Sequence, residues 1–250
     1  MAKQIAVAGK GGTGKTTFTS IMIRYLIEQQ KRPILAVDAD PNANLNEALG
    51  AALGETISDI IAQTKGEVSF PAGMTQETFI EYKLQSALVE TKDVDMLVMG
   101  GPEGPGCYCF PNNILRKLLE NLAGNYAYVI MDNEAGMEHI SRRVTSDIDM
   151  LFIVSDASAR AIRSAGRVHD LVKQLKTSVK EIYLVVMKCQ PGDIAALQQE
   201  IDATGLTLIG TVPYDTGLAR YDLESKPLAE LPGDAAAVKA IYEICNKVKV

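Results

Sequence analysis

The segment AGKGGTGKTT, residues 8–17, constrains the fold of this chain more than any other stretch of its sequence. It fits the pattern Gly-x-x-x-x-Gly-Lys-Ser/Thr, with Gly9, Gly14, Lys15 and Thr16 at the defining positions. An apolar run typical of a buried strand precedes it, and apolar residues at helical spacing follow it. The pattern in this context favours a phosphate-binding loop between a strand and a helix over a glycine-rich turn without function.

Each residue type in this loop has a physical reason to be there. Glycines let backbone N–H groups turn inward around phosphates, and the positive end of the following helix dipole points at the same place. We expect Lys15 to neutralise the outer phosphates, the Thr16 hydroxyl to ligate Mg²⁺ and Thr17 to help hold the inner phosphate. The predicted nucleotide-binding residues of the loop are Gly11, Gly12, Thr13, Gly14, Lys15, Thr16 and Thr17.

Strand-like and helix-like segments alternate along the rest of the chain. This alternation predicts βαβ units, and therefore an α/β fold with a mostly parallel, doubly wound sheet flanked by helices. No repeat, low-complexity tract or linker is evident, so we expect one domain over residues 1–250. The predicted strands are 3–9, 32–38, 95–100, 126–132, 149–155, 181–187 and 207–213, and the predicted helices are 16–30, 111–122, 159–175, 193–203 and 234–248, with short helices around 75–84.

Composition excludes several classes of protein. The 250 residues are 47% hydrophobic and carry a formal net charge of −6, which is not the electrostatic pattern of a general nucleic-acid binder. No run of about 18 apolar residues is present, so no membrane span is predicted. Four cysteines and no signal-peptide core favour the reducing cytoplasm, where thiols stay free to bind metals.

A second lysine, Lys10, narrows the interpretation. The pattern KGGxGK[ST] resembles the variant phosphate loop of the MinD/ParA and nitrogenase iron-protein class of ATPases. The resemblance implies a P-loop nucleotidase fold of the MinD type and ATP-dependent homodimers with slow, magnesium-dependent hydrolysis. It also implies that Lys10 reaches the phosphates of the partner subunit and supplies transition-state charge there, as an arginine finger does.

Two further segments resemble the switch regions of this class. VDADPNANL, residues 37–45, follows the second strand, and the resemblance implies that Asp38 contacts the Mg²⁺ shell while Asp40 orients the attacking water. In MDNEAG, residues 131–136, Asp132 would hold Mg²⁺ through water, and Gly136 would let the segment move. Helix caps or turns are the alternative roles for such aspartates. Their places at the carboxyl ends of strands favour the site.

The base-binding residues are less well marked. A guanine reader of the Asn-Lys-x-Asp type is absent, because Lys188 lies in Met-Lys-Cys-Gln, so we expect ATP rather than GTP. VPYD, residues 212–215, resembles the adenine-side loop of the class. Lys188 and Pro213 are therefore the predicted base-side contacts.

Cys107 and Cys109 lie in the segment GPGCYCF. A disulfide between them is disfavoured, because alpha carbons two residues apart in an extended chain lie about 6.5–7 Å from each other. Two thiolates also make only half of a tetrahedral metal site. If the chain dimerises with this loop on the two-fold axis, the two copies together supply four thiolates. Such a site suits Zn²⁺, Ni²⁺, Cu(I) or an iron–sulfur cluster.

A narrower resemblance follows from these segments. GGPEGPGCYCFPNNILR and DNEAGMEHISRR are similar to CooC-type ATPases, which serve nickel insertion into carbon monoxide dehydrogenase and the related acetyl-CoA synthase. The resemblance implies that Cys107 and Cys109 bind Ni or Zn in a nucleotide-dependent homodimer and that the partner is a client nickel enzyme. Cys189 and Cys245 are interpreted as small core residues.

Three alternative functions, the last of them of a different class, remain weaker. An iron-protein-like reductase would carry a second cysteine just after Asp132, where Asn133 stands instead. An iron–sulfur scaffold ATPase would show a C-x-x-C pair near its C-terminus, and none is present. A partitioning or positioning ATPase would need a basic surface or a basic amphipathic tail, and the last helix is only weakly amphipathic.

Overall fold

The computed structural model describes residues 2–63, 75–101, 109–133, 147–175 and 178–250. Strands and helices alternate along these segments. In chain order the elements are β1 (Lys3–Gly9), α1 (Lys15–Glu28), β2 (Ile34–Ala39), α2 (Leu45–Leu49), α3 (Ile57–Gln63), α4 (Gln76–Ser86), β3 (Asp95–Val98), α5 (Cys109–Leu122), β4 (Tyr128–Asn133), β5 (Asp147–Asp156), α6 (Ala159–Leu175), β6 (Ser178–Cys189), α7 (Asp193–Ala203), β7 (Thr207–Pro213), α8 (Thr216–Leu223) and α9 (Ala236–Lys247), with short 3₁₀ turns at Ala123–Asn125 and Leu228–Glu230.

The seven strands form one sheet in the order β3-β2-β4-β1-β5-β6-β7, and every neighbouring pair is parallel. The chain starts in the middle of the sheet, winds to one edge, returns to place β4 beside β1, and then winds to the other edge. The predicted α/β doubly wound fold is confirmed. The sheet is more regular than predicted, since all of its strand pairs are parallel.

Apolar residues cover both faces of the sheet because consecutive strand side chains point to opposite faces. Helices α1, α2 and α9 pack on one face around the Phe18–Phe152 ring pair, whose centroids lie 5.1 Å apart. Helices α3 to α7 supply the apolar cover of the other face. Two buried layers explain why the strands are continuous apolar runs rather than alternating ones.

The element boundaries differ from the predicted ones where polar residues extend a strand or a helix. β6 begins at Ser178, three residues before the predicted start. Its first residues pair with β5 although most of their side chains are exposed. Helix α5 begins at Cys109 rather than at Pro111. Proline is tolerated throughout a first helical turn, so Pro111 marks the first turn but not its first residue. Helices α2, α3 and α8 were not predicted.

None of the helices in the described part of the chain combines the length and apolar character that a bilayer crossing requires.

The winding order determines where a ligand can bind. β1 lies between β4 and β5, and the connections from β1 and β4 leave the carboxyl edge of the sheet in opposite directions. In doubly wound sheets the crevice at such a switch point is the usual ligand site. The loop after β1 therefore opens into this crevice.

The end of β1 permits only glycine. Gly9 has φ +150°, and a Cβ there would lie 2.1 Å from the carbonyl oxygen of Val154 in β5. We predict that Gly9→Ala lowers the free energy of unfolding by about 3 kcal/mol or more, because two paired backbones must separate. Urea denaturation followed by circular dichroism measures this loss.

Gly124→Ala is the matched control, since no heavy atom lies within 4 Å of the added Cβ. Its effect should stay within about 0.5 kcal/mol. Equal stability of the two variants would contradict the close approach of β1 and β5.

Candidate functional site

The loop between β1 and α1 is held in shape by its own side chains. Thr13 is fully buried, and its Oγ1 donates to the Lys10 carbonyl oxygen at 2.8 Å. Gly12 and Gly14 have φ +77° and +96°, a region that costs an L-residue roughly 1–2 kcal/mol. Gly14 is also the N-cap of α1, so the loop leads directly into the helix N-terminus. This geometry matches the predicted phosphate-binding loop.

The two lysines of the loop occupy different environments. Lys15 is only 7% exposed, and its Nζ lies 3.5 Å from the Lys10 carbonyl oxygen, so its ammonium group is directed back into the loop. Lys10 itself is exposed. Lys15 is therefore in place to meet a phosphate bound by this loop, and Lys10 is free to reach outward.

A hydrogen bond between Thr16 and Asp132 joins α1 to β4. The Thr16 Oγ1 donates to Asp132 Oδ2 at 2.6 Å, and the Thr19 Oγ1 lies 3.4 Å from Asp132 Oδ1. A threonine hydroxyl beside a carboxylate is a hard oxygen ligand set of the kind that Mg²⁺ prefers, with phosphate oxygens and water completing an octahedron. These residues fit a magnesium ion bound together with a nucleotide.

Asp38 and Asp132 form a buried pair of carboxyl groups. They are direct partners in the β2–β4 register, and their exposed fractions are 0% and 1%. Burial raises the pKa of Asp38 to about 6. The pKa of Asp132 is raised to about 7. Burial and the nearby Asp38 raise it, and the hydrogen bond from Thr16 acts in the opposite direction. A cation at this point would relieve the charge penalty.

The segment after β2 is fastened to Asp38. Asp38 Oδ1 accepts the backbone N–H of Asp40 at 3.0 Å, and Oδ2 accepts that of Leu45, the first residue of α2, at 2.9 Å. Asp40 Oδ1 in turn accepts the backbone and side-chain N–H groups of Asn42 at 2.9 and 2.8 Å. Asp38 thus has the structural role considered from the sequence, since it closes a turn at Asp40 and accepts the first N–H of α2, and it also lies beside Asp132.

A cleft of about 630 Å³ runs along this edge of the sheet and contains most of the predicted nucleotide-binding residues. Its walls come from the glycine loop, the segment after β2, the end of β6, and the region from α8 to the following turn. The lining residues are Gly11, Gly12, Gly14, Lys15, Thr16, Thr17, Asp40, Asn42, Asn44, Glu47, Ala48, Lys188, Leu218, Asp222, Ser225, Lys226 and Leu228.

The two predicted base-side contacts differ in whether they line this cleft. Lys188 does, and with φ +59° it donates from Nζ to the Gly12 carbonyl oxygen at 2.9 Å, so it lies beside the glycine loop. Pro213, at the end of β7, is not among the lining residues, whereas Leu218 and Asp222 of α8 are. Helix α8 has only 8 residues, too few for an apolar spacing in the sequence to predict it.

The cysteines fall into two groups. Cys107, like Gly136, lies outside the described residues. Cys109 is the first residue of α5, so it lies at a helix N-terminus and not in the extended segment that we predicted. Over the ranges that the structure describes, no cluster of three or more His, Cys, Asp or Glu residues is arranged to hold a metal ion.

The other two thiols are consistent with packing residues. Cys245 is fully buried, and burial raises the pKa of its thiol to about 12. Cys189 is partly buried, and burial raises its thiol pKa to about 11. Neither thiol is poised to ionise at neutral pH, in agreement with the prediction that both are core residues.

The raised pKa of Asp132 gives a testable linkage. Its folded pKa of about 7 lies above the ordinary carboxyl value, so ionised Asp132 destabilises the free protein above that pH. Asp132→Asn keeps an acceptor for Thr16 and removes the charge. We predict that it raises the free energy of unfolding by about 2 kcal/mol at pH 8 without Mg²⁺, since each pKa unit corresponds to about 1.4 kcal/mol.

The gain should shrink as the pH falls from about 7 towards about 4, where the carboxyl is protonated in both states. Urea denaturation at pH 8 and pH 5 measures it. Asp170→Asn, at an exposed carboxyl on α6, is the control and should show no comparable pH-dependent gain. An Asp132→Asn variant less stable than wild type at pH 8 would contradict the buried-charge argument.

Comparisons with known proteins agree with this geometry. Residues 5–228 match the model of the CobQ/CobB/MinD/ParA nucleotide binding domain. The chain is 43% identical to an uncharacterized ATP-binding protein of Methanocaldococcus jannaschii over 98% of this chain and 97% of that protein. It is 30% identical to the carbon monoxide dehydrogenase accessory protein CooC of Rhodospirillum rubrum, over 88% and 90% of the two chains.

A solved structure gives the same fold. The septum site-determining protein MinD of Pyrococcus horikoshii, complexed with Mg-ADP, superposes with a TM-score of 0.72 at 21% identity, over 99% of this chain and 96% of that one. The family match spans the glycine loop and Lys188, which line one cleft, and the buried pair Asp38 and Asp132 beside Thr16. The chain therefore belongs to the CobQ/CobB/MinD/ParA family of P-loop nucleotide-binding ATPases.

Proposed function

We propose that this protein hydrolyses ATP slowly in a magnesium-dependent reaction and uses the cycle to control a homodimer. The observation that carries the proposal is the 2.6 Å bond between Thr16 Oγ1 and Asp132 Oδ2, beside the buried Asp38 and within the cleft that holds Lys15. A nucleoside triphosphate with Mg²⁺ would supply negative charge beside Lys15 and positive charge beside Asp132.

Each of the site residues has a separate role in the proposed reaction. Backbone N–H groups of the glycine loop and the Lys15 ammonium hold the phosphates. Thr16 and Asp132 would hold Mg²⁺, which when bound neutralises charge on the phosphate oxygens. Asp40 lines the cleft, and hydrogen bonds from Asn42 fix its Oδ1. The carboxylate would orient the attacking water near the outer phosphate.

The exposed Lys10 completes the proposal. Its side chain has no role in holding its own loop, since only its carbonyl oxygen accepts from Thr13 and Lys15. A second copy facing this cleft would place its Lys10 at the phosphates of the first. Positive charge delivered in this way stabilises the transition state only when two subunits meet.

The hydrolysis proposal is tested by three variants. We predict that Lys15→Ala abolishes ATP binding, because the phosphates lose their buried cation. Lys10→Ala should bind ATP within about threefold of wild type yet lose at least about 100-fold in kcat, the scale of a missing charge-stabilising group. Asp40→Ala should bind ATP and dimerise but hydrolyse at least about 100-fold more slowly.

Phosphate release and calorimetric ATP titration measure these effects, with GTP as the competing nucleotide. Lys173→Ala removes an exposed lysine on α6 and is the charge-matched control. Wild-type turnover of Lys10→Ala would overturn its action in the partner subunit. A monomeric Asp40→Ala with ATP would make Asp40 structural, and a preference for GTP would contradict the adenine assignment.

We further propose that the cargo of this cycle is a metal ion for a nickel enzyme. The support is the C-x-C pair Cys107 and Cys109 in its glycine- and proline-rich context, together with 30% identity to a carbon monoxide dehydrogenase accessory protein over most of both chains. Two thiolates from each subunit would bind one Ni²⁺ or Zn²⁺ on the two-fold axis. The client would be carbon monoxide dehydrogenase or acetyl-CoA synthase.

The metal proposal predicts a stoichiometry. Wild type should bind one Ni²⁺ or Zn²⁺ per dimer, and the metal should promote dimerisation, because only the dimer offers four thiolates. Replacing Cys107 and Cys109 with Ser should remove the metal and leave ATP binding intact. Metal analysis combined with light-scattering mass, with and without ATP, measures both.

Cys189→Ala, at a partly buried thiol with a raised pKa, is the control and should retain the metal. Tight metal binding by a strict monomer would overturn the shared site. Full occupancy after loss of both Cys107 and Cys109 would do the same.

A further inference from the structure

Strand β6 is irregular where it reaches the nucleotide cleft. Val186 pairs with Thr211 of β7 and Cys189 pairs with Pro213, so β6 carries one residue more than β7 over this stretch, which is a β-bulge. Lys188 lies within the bulge and has φ +59°. This left-handed backbone conformation is unfavourable for any residue that carries a Cβ. The strand therefore bends at one strained residue.

The bulge directs the Lys188 side chain onto the glycine loop. In a regular strand consecutive side chains point to opposite faces of the sheet, and Met187 is already buried on the face that α1 covers. Lys188 would then point to the other face. Instead its Nζ donates to the Gly12 carbonyl oxygen at 2.9 Å, between residues 176 positions apart in the chain. A bulge beside a functional site commonly re-aims a side chain in this way.

Two adjacent residues of β6 thus contact the same loop. Met187 lies beside Gly14, since a Cβ added to Gly14 would be 3.3 Å from the Met187 Cε. Lys188 holds the carbonyl group of Gly12. Both of these glycines have positive φ, and glycine has more conformational freedom than any other residue. Contacts from β6 therefore restrict the loop at the two positions where its backbone is most free.

We propose that Lys188 is a positioning residue for the phosphate-binding loop, acting through the Gly12 carbonyl group, and not the base-side contact that the sequence predicted. Its ammonium group balances the partial negative charge of this carbonyl oxygen, which would otherwise oppose phosphates bound by the same loop. The strained bulge is what brings the ammonium group there. The inference rests on the nucleotide binding proposed above, and it assigns Lys188 to the phosphate end of the nucleotide.

Lys188→Met removes the ammonium group and keeps most of the side-chain stem. A base-side contact would affect ATP and spare inorganic tripolyphosphate, whereas a residue that shapes the loop affects both, because both present phosphates to it. We expect the Kd of each ligand to rise about tenfold, the scale of a lost hydrogen bond from a charged group. The KM for ATP should rise similarly, with kcat at saturating ATP within about threefold of wild type. Calorimetric titration and phosphate release measure these effects.

Lys188→Gly separates loss of binding from loss of fold. It removes the same ammonium group, but glycine adopts positive φ without strain. We expect this variant to unfold at a higher urea concentration than Lys188→Met and to bind both ligands as weakly. A lower unfolding midpoint than that of Lys188→Met would contradict the strained bulge from which the inference begins. Recovery of wild-type affinity in Lys188→Gly would overturn the inference, because this variant also lacks the ammonium group.

Lys180→Met is the matched control. Lys180 lies near the other end of β6, and its exposed ammonium group is 2.6 Å from Asp149 Oδ1. Both affinities should stay within about twofold of wild type, since exposed ion pairs contribute little. Loss of ATP affinity alone in Lys188→Met, or no loss for either ligand, would overturn the inference and leave nucleotide binding in place. Failure of the wild-type protein to bind ATP would overturn both.

Discussion

The burial of two carboxyl groups side by side is the constraint on which the rest of the site depends. Asp38 and Asp132 are register partners on neighbouring parallel strands, almost fully withdrawn from water, and burial raises both pKa values. Like charges this close are unfavourable without compensation. Several neighbouring groups offset this charge. Thr16 donates to Asp132, two backbone N–H groups donate to Asp38, and Lys15 supplies a nearby positive charge.

The parallel sheet makes that pairing possible. Because all strands run the same way, the ends of β1, β2 and β4 meet at one edge, and the glycine loop leaves β1 between its two neighbours. Residues more than 100 positions apart in the chain, such as Thr16 and Asp132, thereby come within hydrogen-bonding distance. The match to a family of nucleotide binding domains agrees with a site organised around phosphates.

The features that could be predicted from the sequence are those that backbone geometry or burial determines. The glycine loop, the continuous apolar strands and the aspartates at strand ends were all predicted, because each follows from backbone geometry or burial. Prediction failed at α8, whose N-cap residue Asp215 accepts a hydrogen bond from Ala237, a contact between residues 22 apart that no periodic pattern records. Pro213 was predicted as a base-side contact because VPYD, residues 212–215, resembles the adenine-side loop of the class, whereas Leu218 and Asp222 of α8 line the cleft.

The way Asp38 holds both ends of the segment from Asp40 to Leu45 has a consequence for the entropy of nucleotide binding. Two bonds to one buried carboxylate close a loop of only a few residues, so its backbone freedom is lost when the protein folds. In the proposed reaction, Asp40 would therefore not have to be ordered each time a nucleotide arrives. The entropy cost of ordering this segment would be met on folding and not on binding, which is the thermodynamic meaning of a preorganised site.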